Sequence, residues 1–190
     1  GVRGAEGKTA CVRYAREHFV PYLGLCFGFQ MAVVEFARNV CGLEGAASTE
    51  LVEDPPHPVI CLLPEQYEVE GLGGTMRLGG RDVAVEPDTL AARMFRGAAT
   101  ARLRFRHRYE VNPDYIDRLE AGGLVFSGKA PGQPIMQILE LPDHPYFVAT
   151  QSHPEFTSRP LGPSPFYLGL VAAALGRNAV GPVEAEPTRR

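Results

Sequence analysis

The 190-residue chain has no apolar run approaching the ~20 residues a membrane-spanning helix needs. It also shows no signal-peptide pattern. Neither sign of charge is in large excess. The formal net charge is -3, which leaves no bulk electrostatic drive toward nucleic acid or an anionic membrane. Cysteine is sparse and unpaired in pattern: Cys11, Cys26, Cys41 and Cys61 form no Cys-x-x-Cys motif and have no histidine at ligand spacing. That spacing speaks against zinc. No Walker-type phosphate loop occurs. What is present is a hydrophobic content of 45%, in a length sufficient for one domain with a full core.

The most informative stretch is Gly24-Leu25-Cys26-Phe27-Gly28-Phe29-Gln30. The apolar run Pro21 to Leu25 reads as a short buried strand, and a helical pattern begins just after Cys26. Glycines at 24 and 28 flank the cysteine. A nucleophile on a sharp strand-to-helix turn needs such flanks, because a side chain there would strike neighbouring backbone. The thiol would sit at a helix N-terminus, where the dipole and free N–H groups favour thiolate and can hold an oxyanion. An inert core cysteine is the ordinary alternative.

Near the other end, Gln151-Ser152-His153-Pro154-Glu155-Phe156 follows the apolar run Tyr146 to Thr150. A histidine at a strand end can serve as general base. Glu155, two residues on and stiffened by Pro154, can orient the imidazole and stabilise its charged form. Alone, His-Pro-Glu is more often a surface turn. Together with Cys26 it reads better as a Cys–His–Glu triad.

Periodicity predicts helices over 6–18, from Phe27 toward Gly42, over 113–121, and from Ser164-Pro165 to Leu175. Strands are predicted to Leu25 and over 102–111, 124–126, 135–141 and 146–152. Residues 42–64 read as loop, with Pro55-Pro56-His57-Pro58 excluding regular structure. Residues 75–86 read as a hairpin about Gly79-Gly80. Residues 177–190, rich in Pro, Glu and Arg, read as a disordered tail after a domain over 1–176. Helices between short buried strands argue for an α/β fold with a mostly parallel sheet flanked by helices, and the nucleophile turn at a strand's carboxyl end.

The cysteine elbow and the His-Pro-Glu resemble the class I (triad) glutamine amidotransferases, a flavodoxin-like fold. Other stretches resemble more narrowly the C-terminal glutaminase domain of the CTP synthase family. They are Gly1-Val2-Arg3-Gly4 with Glu6-Gly7-Lys8, Glu35 to Val40, Ser48-Thr49-Glu50, Leu72 to Gly79, Arg106 to Pro113, and His153 to Phe156. The likeness runs from the first residue to about Leu175. It implies hydrolysis of L-glutamine, with Cys26 attacking, His153 moving the proton and Glu155 holding His153. It implies glutamine binding at Phe27 (through its N–H), Gln30, Glu50 and Arg108. It implies that Arg3 and Glu6, in the first loop, belong to a lid responding to the effector GTP.

Read from the residues alone, Gln30 can equally be a solvated helix residue and Glu50 a surface glutamate. The ladder Arg102, Arg104, Arg106 and Arg108 can be a solvated edge strand or a weak polyanion patch, and the net charge speaks against the second. The resemblance further implies an initial strand, further βα units and a Gly-Gly-Phe before Gly1, the Gly-Gly carrying a second oxyanion donor. It implies an upstream synthetase domain using ATP and Mg2+ to aminate UTP, a homotetramer, a cytoplasmic location and no cofactor in this chain. The chain is therefore expected to be a fragment. Phe105, Ala47 and Ser152 depart from the family's usual histidine, asparagine and phenylalanine, and Phe27 from its usual leucine. A non-catalytic regulatory or assembly module is the rival reading. A free-standing peptidase or γ-glutamyl hydrolase is a third, which the CTP-synthase-like stretches disfavour.

Overall fold

In the computed structural model of the chain, residues 2–63 and 76–177 are described. The tail expected from 177 lies outside them except for Arg177, as do residues 72–75 of the glycine-rich stretch.

Helix α1 (Ala5–Glu17) buries Ala5, Thr9, Val12 and Ala15, one stripe at helical spacing. Strand β1 (Tyr22–Leu25) follows, then α2 (Phe27–Asn39), whose residues from Phe29 to Ala37 are all buried. A helix buried on every side belongs in the middle of a core. The α2 helix packs on β1, on β9 (Phe147–Thr150), and on β2 (Ala46–Ser48) and β3 (His57–Cys61). Arg16 of α1 grips the buried carboxylate of Glu35 in α2 through two nitrogens, at 2.8–3.2 Å.

The main sheet has the order β1-β9-β8-β7-β4-β5, with β4 (Arg77–Val85), β5 (Thr100–His107), β7 (Val125–Lys129) and β8 (Met136–Glu140). A second sheet has the order β2-β3-β6, with β6 at Glu110–Val111. Two separate core clusters flank the main sheet. One gathers Phe29, Val33, Phe36, Leu139 and Phe147 around α2. The other gathers Val83, Ile138, Tyr146, Val148 and Phe166, under α3 (Leu90–Met94) and α5 (Pro165–Ala174). Helix α4 (Ile116–Ala121) continues from a 3-10 turn at Pro113–Tyr115.

The α/β class with flanking helices stands, but the sheet is mixed, not mostly parallel. Only β1–β9 and β2–β3 pair in parallel among the described strands; β3–β6, β4–β5, β4–β7, β7–β8 and β8–β9 are antiparallel. The reason is connection length. A parallel pair needs a crossover of a dozen or more residues, and the links joining β7 to β8 and β8 to β9 are far shorter.

Two further expectations change. The loop expected over 42–64 contains β2 and β3, and β3 begins at His57-Pro58. Proline is tolerated at a strand's start, and the β2–β3 register shifts at this point. The hairpin expected about Gly79-Gly80 is one continuous strand, β4, paired along its length with β5. Gly79, at φ +81, bends the ribbon opposite Phe105 without reversing it.

Candidate active site

Parallel pairing of β1 with β9 sets Leu25 beside Thr150. The residues that leave these two strands at their carboxyl ends are therefore neighbours, Cys26 on one side and Gln151 to His153 on the other. The Cys26 N–H donates to Thr150 O at 2.8 Å, which locks the start of the turn.

Cys26 has φ +48 and ψ -100, a strained conformation for a residue with a side chain. The flanking glycines are not equivalent. A Cβ on Gly24 would lie 2.7 Å from Tyr22 Oη and 2.9 Å from both Ala149 Cβ and the Gly28 carbonyl carbon. A Cβ on Gly28 would meet only Tyr22 Oη, at 3.5 Å. The steric requirement expected of both therefore holds for Gly24 alone.

The sheet curls so that the open edge of β5 reaches these loops. His153 N–H donates to Arg104 O at 2.7 Å, and the Cys26 thiol points to Arg106 O at 3.9 Å. Carbonyls two residues apart on a strand face the same way. One short stretch of β5 thus seats both residues. His153 Nδ1 lies 2.6 Å from Glu155 Oε1, in the 3-10 turn Pro154–Phe156, so the expected histidine–carboxylate pair is present. With Nδ1 donating to Glu155, Nε2 is the basic nitrogen. Among the described residues, no hydrogen bond joins Cys26 Sγ to His153.

Burial pushes the Cys26 thiol up to about 11, despite the Phe27 N–H and the Gln151 amide, which favour thiolate; the fields of Glu155 and Glu50 disfavour it. The lowered thiol pKa expected from the helix N-terminus is thus reversed. Desolvation outweighs the single N–H that the helix turns toward sulfur.

The other expected site residues take distinct places. Gln30 is buried, its Nε2 donating to Tyr109 O at 3.2 Å and to Gln151 Oε1 at 3.5 Å, while its Oε1 has no partner among the described residues. It is not a solvated helix residue. Glu50 is exposed after β2, with its N–H on Ser48 Oγ, and its charge reaches Cys26. Arg108 is exposed and lines a groove of about 690 Å3 with Arg104, Arg106, Phe105 and Phe156, which abuts His153. Phe105 and Ser152 are buried, the latter bonded to Thr150 Oγ1 at 2.8 Å. Ala47 is buried in β2.

Arg3 and Glu6 are not in a loop. Arg3 is in a 3-10 turn, Val2–Gly4, and Glu6 is in the first turn of α1, paired with Arg38 at 3.0 Å. The run forms helix despite Gly7 because burial of Ala5, Thr9, Val12 and Ala15 along one face outweighs glycine's entropic cost.

Two features escaped the sequence reading. Gln151, fully buried, donates from Nε2 to Cys26 Sγ at 3.6 Å. Glu110, also fully buried, receives Arg77 Nε at 2.7 Å and lies 2.8 Å from His107 Nε2, holding the turn that carries Arg108. The only signal for Glu110 was a carboxylate at the next alternate position after the ladder Arg102, Arg104, Arg106 and Arg108. Gln151 gave none.

The glutamine amidotransferase class-I family model matches residues 1–173. The CTP synthase of Thermococcus gammatolerans is 58% identical over 182 residues, covering 95% of this chain and 34% of that protein. That of Haloarcula marismortui is 60% identical over 178 residues, 93% and 32% of the respective lengths. The chain thus spans about one third of these curated relatives. The glutaminase domain of Trypanosoma brucei CTPS, solved with bound acivicin, superposes with a TM-score of 0.86 at 35% identity, covering 93% of this chain and 68% of that one. A putative GMP synthase component from Thermoplasma acidophilum, at TM-score 0.57 and 16% identity over 90% and 65% of the two chains, shares the fold. The chain belongs to the class-I glutamine amidotransferase family, as a homologue of the glutaminase domain of CTP synthases.

Proposed function

We propose that this chain hydrolyses L-glutamine to glutamate and ammonia, and that the ammonia serves ATP-dependent amination of UTP to CTP on a separate synthetase domain. The observation that carries the reading is the strained Cys26 elbow set beside the Glu155-held His153, both seated on β5 carbonyls.

The reaction follows from these groups. Cys26 gives its proton to His153 Nε2, and the imidazolium is stabilised by Glu155 at Nδ1. The thiolate attacks the side-chain amide carbon, and the amide oxygen takes its negative charge facing the Phe27 N–H. His153 then protonates the departing nitrogen, the C–N bond breaks, and ammonia leaves. A water, deprotonated by His153, releases glutamate from the thioester. Arg108 suits the substrate carboxylate, since a guanidinium binds carboxylates through two nitrogens. Glu50 suits the ammonium, and the unpartnered Gln30 Oε1 is a buried acceptor for a further N–H.

The synthetase domain, with its ATP and Mg2+, belongs to the part of the parent outside this chain. The relatives' threefold greater length supports that reading. The arginine-lined groove with Phe105 and Phe156 supports a nucleotide effector, GTP, at the mouth of the site. Arg3 remains a lid candidate by its exposure; Glu6 is one only if its pair with Arg38 opens. We take residues 1–176 as the domain and 177–190 as its tail, and the full enzyme as a cytoplasmic homotetramer. No helix among the described residues is long and apolar enough to cross a membrane.

A non-catalytic module is the second reading, favoured by the raised thiol pKa and the absent Cys26–His153 hydrogen bond. Cys26→Ser in the full-length protein separates the two. It should abolish glutamine-dependent CTP formation and leave ammonia-dependent formation nearly intact. Retained glutamine-dependent activity, or equal loss of both, sinks the proposal.

A further inference from the structure

The resting Cys26 sulfur lies between an acceptor and a donor. The S–H faces Arg106 O, and Gln151 Nε2 approaches Sγ at 3.6 Å. An amide can present either end to a neighbour, and which end it presents decides whether thiolate is favoured.

Here the choice is forced. Tyr109 O is a backbone carbonyl and can only accept, so the Gln30 atom 3.2 Å from it must be Nε2. The same Nε2 faces Gln151, so the Gln151 atom at 3.5 Å must be the acceptor Oε1. Gln151 is then left with one end for the sulfur, its N–H donor. Both glutamines are buried, so water does not compete for these positions. The backbone N–H of Gln151 is tied to Gln137 O at 2.9 Å, which anchors the side chain's base.

We infer that Gln151 is the positioning residue of the nucleophile, a donor to the Cys26 sulfur whose polarity is set by the Tyr109 carbonyl through Gln30. This rests on the proposed role of Cys26. The relay links three parts of the site that are distant in sequence: the helix after the elbow, the end of β9, and the turn that carries Arg108. It also gives Gln30 a second task beside the substrate one. Other groups that act on the sulfur are the Phe27 N–H at the head of α2 and the carboxylates of Glu155 after β9 and Glu50 after β2, the first of these carboxylates bonded to His153 Nδ1. The two carboxylates oppose thiolate, so the donors from Phe27 and Gln151 work against them.

The test is made on the full-length protein. Cys26 alkylation by iodoacetamide is followed by peptide mapping from pH 7 to 10.5 in the wild type, Gln151→Met and Gln151→Glu. Gln151→Met keeps the length and removes the donor. Gln151→Glu keeps the shape and, once ionised toward the alkaline end of the range, offers only acceptors. Across this range, which lies below the thiol's midpoint, Met should slow alkylation by roughly 3- to 10-fold, equivalent to an upward midpoint shift of about half to one pH unit. Glu should slow it further. The kcat for glutamine hydrolysis should fall in the same order with little change in KM. A merely structural role would leave the alkylation curve of a folded variant on that of the wild type, and that result overturns the inference. Glutamine hydrolysis persisting in Cys26→Ser would instead overturn the nucleophile reading, and would do so whatever Gln151 does to the thiol.

Discussion

Gly24→Ala and Gly28→Ala differ by one methyl each, on either side of the same cysteine, and should shift stability in opposite directions. At Gly24 the new Cβ would sit 2.7 Å from Tyr22 Oη and 2.9 Å from two carbons, Ala149 Cβ and the Gly28 carbonyl carbon. Favourable carbon contacts begin near 3.5 Å. The Tyr22 hydroxyl cannot simply turn away, because it donates to Gly28 O at 2.9 Å and its ring stacks on Phe147. Ala149 is in the middle of β9, paired directly with Gly24. The clash must therefore be relieved by moving backbone, at a cost of about 1–3 kcal/mol for overpacking of this size.

At Gly28 the added methyl meets Tyr22 Oη at 3.5 Å, an ordinary contact, and the backbone is helical. Removing glycine's conformational freedom there should stabilise by up to about 0.5–1 kcal/mol. The two variants should thus differ by about 1.5–4 kcal/mol in urea unfolding. Gly24→Ala should also reduce glutamine turnover, since Cys26 follows two residues later on the displaced strand. Equal stability of the two variants, or a Gly28→Ala less stable than Gly24→Ala, would refute the steric account of the elbow.

The buried thiol makes stability pH-dependent with a definite sign. The folded pKa, about 11 against an ordinary value near 9, means the folded state keeps the proton longer, so stability is lost as pH rises between those values. The wild type should lose about 1–2 kcal/mol relative to Cys26→Ser between pH 8 and 11, after discount for partial exposure; parallel stability curves would contradict this. Arg16→Met strands the fully buried Glu35, among the described residues, with only Asn39 Nδ2 at 3.2 Å, and should cost about 3 kcal/mol in urea unfolding. Adding Glu35→Leu should recover much of that loss, and a double variant no better than the single one would show that the charge is not the cause.

The β1–Cys26–α2 unit was legible because its signals are local: an apolar run, a helical period, and glycines next to a cysteine. His153 and Glu155 were legible for the same reason, being two residues apart. Strand β3 was hidden because Pro55 to Pro58 suppress the strand pattern, while the pairing that forms it comes from β2 and from β6, far along the chain. Gly79-Gly80 misled because adjacent glycines signal a turn, whereas here they face the bulky residues Phe105 and Arg104 across a long ribbon. The sheet's antiparallel majority could have been read from the short links between β7, β8 and β9. Gln151 could not. Its meaning depends on Gln30 and on the carbonyl of Tyr109, and no spacing in the sequence announces either contact. Glu110 is similar, since its partner Arg77 arrives from another strand.

The thiol's raised pKa and the triad reading are reconciled by the position of β5. With a value of about 11, only about one thiol in 10⁴ is ionised at pH 7. A nucleophile that depended on this resting fraction would be slow. In the proposed reaction the proton acceptor is His153, with its Nδ1 already committed to Glu155 at 2.6 Å. Arg104 and Arg106 are two residues apart on β5, a separation of about 6.5–7 Å, and their carbonyls hold the His153 backbone and the Cys26 thiol respectively. The two groups of the proposed triad are thus held on one short stretch of β5. Turning the S–H from Arg106 O toward His153 leaves the Gln151 and Phe27 donors on the sulfur, and these are the groups that favour the charge being created. Burial then works for the reaction. It keeps the thiol protonated while the site is idle, and it strengthens the thiolate–imidazolium attraction once the proton has moved.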